Sequence, residues 1–144
     1  MAEQDAKPIS LKIDGLTSAE FQALSEEEMD GLVFCDHPVA FHIGSAEILG
    51  QFRKFQNRIE IELAHIEGGG EGALPLIWKL ASSYARLRRF ENIDWYVHAV
   101  NCANPNPKLQ RVLLRKKFAI VEKDGVDVFY LNQKLAEQSV VPNP

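Results

Sequence analysis

The chain has 144 residues, 46% hydrophobic and 25% charged, with a net charge of −4. This length suits one domain that removes roughly 68–70% of the unfolded chain's surface from water. The composition excludes a disordered or collagen-like chain, no apolar run approaches the ~20 residues of a bilayer span, and the acidic balance gives no general affinity for nucleic acid or a membrane surface.

The acidic start Met1-Ala2-Glu3-Gln4-Asp5 lacks the features of a signal or transit peptide. Cys35 and Cys102 are read as free thiols of a reducing compartment, so a cytoplasmic location is expected. One domain over residues 1–144 is expected, with 1–7 and 136–144 as flexible tails.

Ile9, Leu11 and Ile13 alternate with Ser10, Lys12 and Asp14, the period-two pattern of a half-buried strand, and Gly15 ends it. Thr17 with Glu20 is a capping box that predicts a short helix over 18–24, and Ser25 with Glu28 repeats the signal. The acidic run Glu26-Glu27-Glu28 suits a helix N-terminus. Residues 32–35, 39–43 and 46–55 read as three strands, with turns at Asp36-His37-Pro38 and Gly44-Ser45 and a bulge at Gly50. Residues 58–66 make the next strand, Ile59, Ile61 and Leu63 on one face, Glu60 and Glu62 on the other.

That strand feeds the loop Glu67-Gly68-Gly69-Gly70-Glu71-Gly72 and then a helix over 73 to about 90. Glycines between a strand and a helix N-terminus let backbone N–H groups and the helix dipole hold phosphate. The pattern is not a P-loop, because no Gly-Lys-Ser/Thr follows. The same glycines also suit a plain surface turn. In the helix Leu74, Ile77, Trp78, Ala81, Tyr84 and Ala85 form an apolar face. Pro75 falls in its first turn and Arg86, Arg88 and Arg89 in its last.

Residues 93–100 read as a buried strand and 101–106 as a polar loop. A helix over 107–117 turns Leu109, Val112 and Leu113 inward and Lys108, Arg111, Arg115 and Lys116 outward. A hairpin closes the chain, 118–122 and 126–131 around Asp124-Gly125. The order predicts an α+β fold: a mixed, mostly antiparallel sheet with flanking helices and a parallel strand pair across the long helix.

With those landmarks the chain resembles the GNAT superfamily of acyl-CoA-dependent N-acyltransferases over roughly residues 30–131. The family's central strand ends in Q/R-x-x-G-x-G/A, and Glu67, Gly70 and Gly72 stand at the matching positions. Its later N-x-x-A-x-x-L-Y-E-K-L-G-F is met by Asn106, Val112 and Phe118. The resemblance implies an acyl-CoA, acetyl-CoA or another, in an opening between the central strand and its parallel neighbour, and an amine acceptor that the sequence does not identify.

The backbone of Leu63, Ala64 and Ile66 would then face the pantetheine arm. The N–H groups of Gly68, Gly69, Gly70, Glu71, Gly72 and Ala73 would hold the pyrophosphate. Asn106 belongs to the same cofactor side, and Arg111, with Lys108 and Arg115, is a partner for CoA phosphates or else a solvated basic face.

Glu62 is the first choice as general base, with Glu60 and His65 near it on the strand. His65 falls on the apolar-facing register, which also suits a core histidine. His98 and Tyr96 line the same opening or simply pack, and Cys102 could supply a proton to the thiolate. The family's frequent Tyr falls on Leu113, and carboxylates stand at Glu67 and Glu71. Two like charges near a pyrophosphate cost about 1–4 kcal/mol. These departures fit the alternative of a degenerate GNAT-like domain serving as a binding or assembly module.

Strand alternation splays Cys35, Asp36, His37 and His42, so no metal site is expected. The serine elbow G-x-S-x-G is missing, and the basic residues of 108–117 lack the aromatic interleaving of a nucleic-acid surface. The final hairpin offers an edge for a homodimer.

Overall fold

The computed structural model describes residues 11–34, 37–67, 70–100 and 106–135. Its elements are β1 (Leu11–Ile13), β2 (Leu16–Thr17), α1 (Ser18–Gln22), α2 (Glu26–Val33), β3 (Val39–Ile43), β4 (Ala46–Phe55), β5 (Arg58–Glu67), α3 (Gly70–Leu87), β6 (Asn92–Val97), α4 (Pro107–Arg115), β7 (Ala119–Lys123) and β8 (Val126–Lys134).

Both capping boxes close. The Glu20 and Glu28 amides donate to Thr17 Oγ1 at 3.0 Å and Ser25 Oγ at 3.1 Å, and the glutamates accept from the two cap amides at 2.9 Å each. The second box carries its helix further than expected. Leu32 and Val33 end α2 rather than opening a strand, because Met29 and Val33 lie four apart on one buried face. Phe34 caps the helix, its amide donating to Asp30 O at 2.8 Å. Cys35 and Asp36 lie outside the described residues.

The strands form one sheet in the order β2-β1-β3-β4-β5-β6-β8-β7. Among the strands of the described residues only β5 and β6 run parallel, and α3 lies between them in the chain. The α+β class with a central parallel pair is therefore as expected. Val39, Phe41 and Phe52 of the sheet meet Phe21, Val33, Leu80, Ala81 and Tyr84 of α1, α2 and α3, so these helices cover one face. Ile59, Ile61, Leu63, Ile93, Trp95 and Val97 are buried on that face.

The α2–α3 contact is locked by Asp30, which accepts from Tyr84 Oη at 2.7 Å and from Arg88 Nη2 at 2.6 Å. Further along α3, Trp78 stacks on Trp95 with ring centroids 4.9 Å apart. Trp95 Nε1 donates to Gln133 Oε1 (2.9 Å), Gln133 Nε2 to Ser82 Oγ (3.0 Å) and Ser82 Oγ to Trp78 O (2.7 Å). The buried polar groups are thereby paired.

Two details differ from the sequence reading. Helix α3 begins at Gly70 instead of 73, which puts Pro75 inside it. Gly50 makes no bulge, for it pairs regularly with Val39 and Leu63. A Cβ there would stand 2.9 Å from Phe41 Cε2 and 3.2 Å from Leu63 Cδ2, so glycine is required by close packing. The bulge lies on β5 instead, where Ala64 pairs with Leu49 but Glu67 pairs with Glu47, three residues spanning two. His65 there has φ +53°, a left-handed conformation uncommon outside glycine.

Candidate active site at the fork of the parallel strands

β5 and β6 keep register from Arg58/Asn92 to Leu63/Val97. The His98 amide donates to Leu63 O at 2.9 Å, after which the Ala99 amide folds back onto Val97 O at 3.0 Å and β6 ends. β5 continues to Glu67, paired with β4 on its other side. Among the described residues no strand pairs with β5 beyond Leu63 on the β6 side, so the two strands form a fork. Gln110 Nε2 donates to Ala99 O at 2.7 Å and ties α4 to the departing chain. Asn106 caps that helix, accepting from the amides of Lys108 at 3.0 Å and Leu109 at 3.2 Å.

Beside the fork, on the face away from α3, stands a pair of titratable side chains. Alternation turns Glu60 and Glu62 opposite to the buried Ile59, Ile61 and Leu63. Tyr96 pairs with Glu62, and His98, two residues on, shares its face. His98 Nε2 lies 2.6 Å from Glu62 Oε2, and Arg53 Nη1 donates to Glu62 Oε1 at 2.9 Å. Lys123 Nζ stands 3.8 Å from Glu62 Oε1 and 3.8 Å from Glu60 Oε2. The side chains of Glu62 and His98 are 18% and 26% exposed, sheltered but reachable.

Burial pushes the Glu62 carboxyl up, but hydrogen bonds from His98 and Arg53 and the Lys123 charge outweigh it, and the net effect is a lowered value. Glu62 is therefore ionised at neutral pH. An ionised carboxylate only accepts hydrogen bonds, so His98 Nε2 is the donor, and in the neutral tautomer this leaves the lone pair on Nδ1.

A second cluster flanks the pair. Asp94 accepts from Tyr130 Oη at 2.8 Å, Asn132 Nδ2 at 2.9 Å and Arg58 Nε at 2.9 Å. Burial first, then Asp94, pushes the Tyr130 hydroxyl up to about 12. Burial and the Glu60 and Asp94 charges also raise Tyr96, so both phenols stay protonated. Their rings lie 5.0 Å apart.

The remaining expected site residues divide. Leu63 is buried in the core, leaving only its backbone toward the fork, and Ala64 is half-buried beyond it. His65 is exposed, contrary to the core position that alternation predicts. The extra bulge residue turns Ile66 onto the core in its place. Gly68 and Gly69 lie outside the described residues, whereas Gly70, Glu71, Gly72 and Ala73 open α3. Arg111 is exposed on α4, and Leu113 is wholly buried, with no proton to give.

His37 is exposed, His42 Nε2 sits 3.5 Å from Glu47, and no three potential metal ligands cluster among the described residues. Cys102 is outside them. Arg53 and Lys123 were not expected at the site. They come from β4 and β7 and reach Glu62 only through strand order, which no local spacing encodes.

No family and no curated protein matches this chain. Among solved structures it is similar to the crystal structure of the GNAT domain of S. lividans PAT, at 18% identity and a TM-score of 0.38, over 76% of this chain and 69% of that one. A likeness at that level carries no argument for function. No helix among the described residues is long and apolar enough to cross a membrane.

Proposed function

We propose that the chain is a GNAT-like N-acyltransferase that binds an acyl-CoA, acetyl-CoA in the simplest case, at the fork and passes the acyl group to an amine. The carrying observation is the Glu62–His98 pair standing where β5 and β6 part, on a strand that leads directly into α3. The fit to such a ligand is made by backbone. Beyond Leu63 the peptide groups of β5 have no strand partner on the β6 side among the described residues, which suits an extended, amide-bearing arm laid along a sheet edge. First-turn N–H groups of α3, from Gly70 to Ala73, suit a pyrophosphate. Lys108 and Arg111 are exposed on α4 to answer further phosphate charge.

A bound acyl-CoA supplies a thioester as acyl donor. An amine reaches such a site as an ammonium and must lose a proton before it attacks. Glu62 is poorly suited to take it, since three partners hold it ionised. His98 is better suited: Glu62 fixes Nε2 as donor, Nδ1 has no partner among the described residues, and the carboxylate stabilises the imidazolium that forms. The roles divide: His98 accepts the proton and Glu62 orients it. The thiolate is a tolerable leaving group without a dedicated acid, which the buried Leu113 does not provide.

The same buried Leu113 favours the second reading, a binding module without transfer. Release of free thiol from acetyl-CoA over a panel of amines separates the two. Transfer that falls by about 100-fold or more in His98→Gln supports catalysis. Acetyl-CoA binding without transfer to any amine supports the module, and neither binding nor transfer removes both.

A further inference from the structure

Lys123 lies on the edge strand of the sheet, with β8 and β6 between it and β5, yet its ammonium reaches the central strand. Nζ stands 5.0 Å from the centroid of the Tyr96 ring, and the side chain is only 21% exposed. Its separations of 3.8 Å from Glu60 and Glu62 are ion pairs rather than hydrogen bonds, so it acts through its field. Arg53 approaches the same carboxylates from β4, at 2.9 Å from Glu62 Oε1 and 3.8 Å from Glu60 Oε1. Glu62 thus gives one oxygen to two cations and the other to His98.

We propose that Lys123 is a positioning residue that sets how strongly Glu62 favours the His98 imidazolium, so that the β7–β8 hairpin governs the proton affinity of the site. The inference rests on His98 as the proton acceptor. His98 contacts Glu62, and the charged and titratable groups linked to that pair are Glu60 on β5, Arg53 on β4, Tyr96 on its own strand and Lys123 on β7, whose ammonium also lies 3.4 Å from Asp124 Oδ2 at the hairpin turn, with Asp94, Arg58 and Tyr130 beyond Tyr96. Arg53 and Lys123 offset Glu60 and Glu62, while the 86% exposed Asp124 shares the Lys123 ammonium. Removing Lys123 leaves the surroundings of His98 one charge more negative, and a negative field favours the imidazolium. The hairpin carries the cation, so displacing its tip changes the proton affinity of a histidine on a different strand.

The test is a nitrogen-15 NMR titration of the His98 ring in the wild type and in Lys123→Met, Lys123→Gln and Lys123→Arg. In Met and Gln the midpoint is expected to rise, because a positive charge beside the Glu62–His98 pair is lost. Lys123→Arg restores it, and Glu62→Gln moves it the opposite way. If Lys123 merely tethers the hairpin, Met and Gln lower the melting temperature but leave the midpoint in place, and the proposal is overturned. Lys123→Gln serves where Met does not fold. The titration needs no acyl donor, so failure to detect transfer counts against the enzymatic reading alone. Where transfer is found, the pH–rate profile of Lys123→Met moves with the midpoint.

Discussion

Replacing Glu62 by Gln keeps the shape of a side chain on which His98 closes at 2.6 Å and Arg53 at 2.9 Å, and removes its charge. A hydrogen bond to a charged group contributes about 1.5–3 kcal/mol. The Arg53 side chain is 41% exposed, so solvent screening discounts its share. The expected loss at neutral pH is about 1–2 kcal/mol, which for a domain of this size lowers the melting temperature by about 2–8 °C. The sign of the pH dependence follows from the lowered carboxyl value. Glu62 is ionised more readily folded than unfolded, so its contribution is fully present above the ordinary carboxylate range and fades as pH falls through the folded value. Circular-dichroism melts of both proteins from pH 7 down to pH 3 should show a gap at neutral pH that closes in acid. A gap that stays constant through the acid range, or no gap at pH 7, would refute the assignment of Glu62 as an ionised, multiply held carboxylate.

Gly50→Ala should cost about 1–3 kcal/mol in urea unfolding, because its methyl meets the rings and branches of the core rather than solvent. Stability equal to the wild type would show that Phe41 and Leu63 give way freely. Leu113→Tyr places a hydroxyl in a fully buried site, so it should destabilise by about 1–3 kcal/mol without raising acyl transfer. A faster transfer with the fold intact would mean that this position opens onto the reacting groups.

Much of the fold was legible because its signals are local. Ile59, Ile61 and Leu63 alternating with Glu60 and Glu62 gave both the strand and the polar face, and two capping boxes gave α1 and α2. At 32–34 a short apolar run suits a strand or a helix end equally, and only the burial of Met29 with Val33 decides for the helix. Glycine signalled a bulge at position 50 and histidine signalled none at 65, yet the structure has them the other way round. The first glycine answers a side-chain contact across strands and the second position a backbone count, neither of which is local. The site divides similarly. Glu62 could be found from its strand, whereas the partnership with His98, Arg53 and Lys123 depends on the register of β4, β5 and β6 and on the reach of the final hairpin.

The central claim is that the fork binds the acyl donor. Titration calorimetry of the purified protein with acetyl-CoA, at low and moderate salt, tests it most directly, run beside Ala64→Trp, which fills the half-buried position just beyond the point where the strands part. Micromolar binding by the wild type is predicted, weakened by salt because phosphate contacts are screened, and lost in a folded Ala64→Trp protein. No heat and no thermal stabilisation at millimolar acetyl-CoA would contradict the claim, as would binding that Ala64→Trp leaves unchanged.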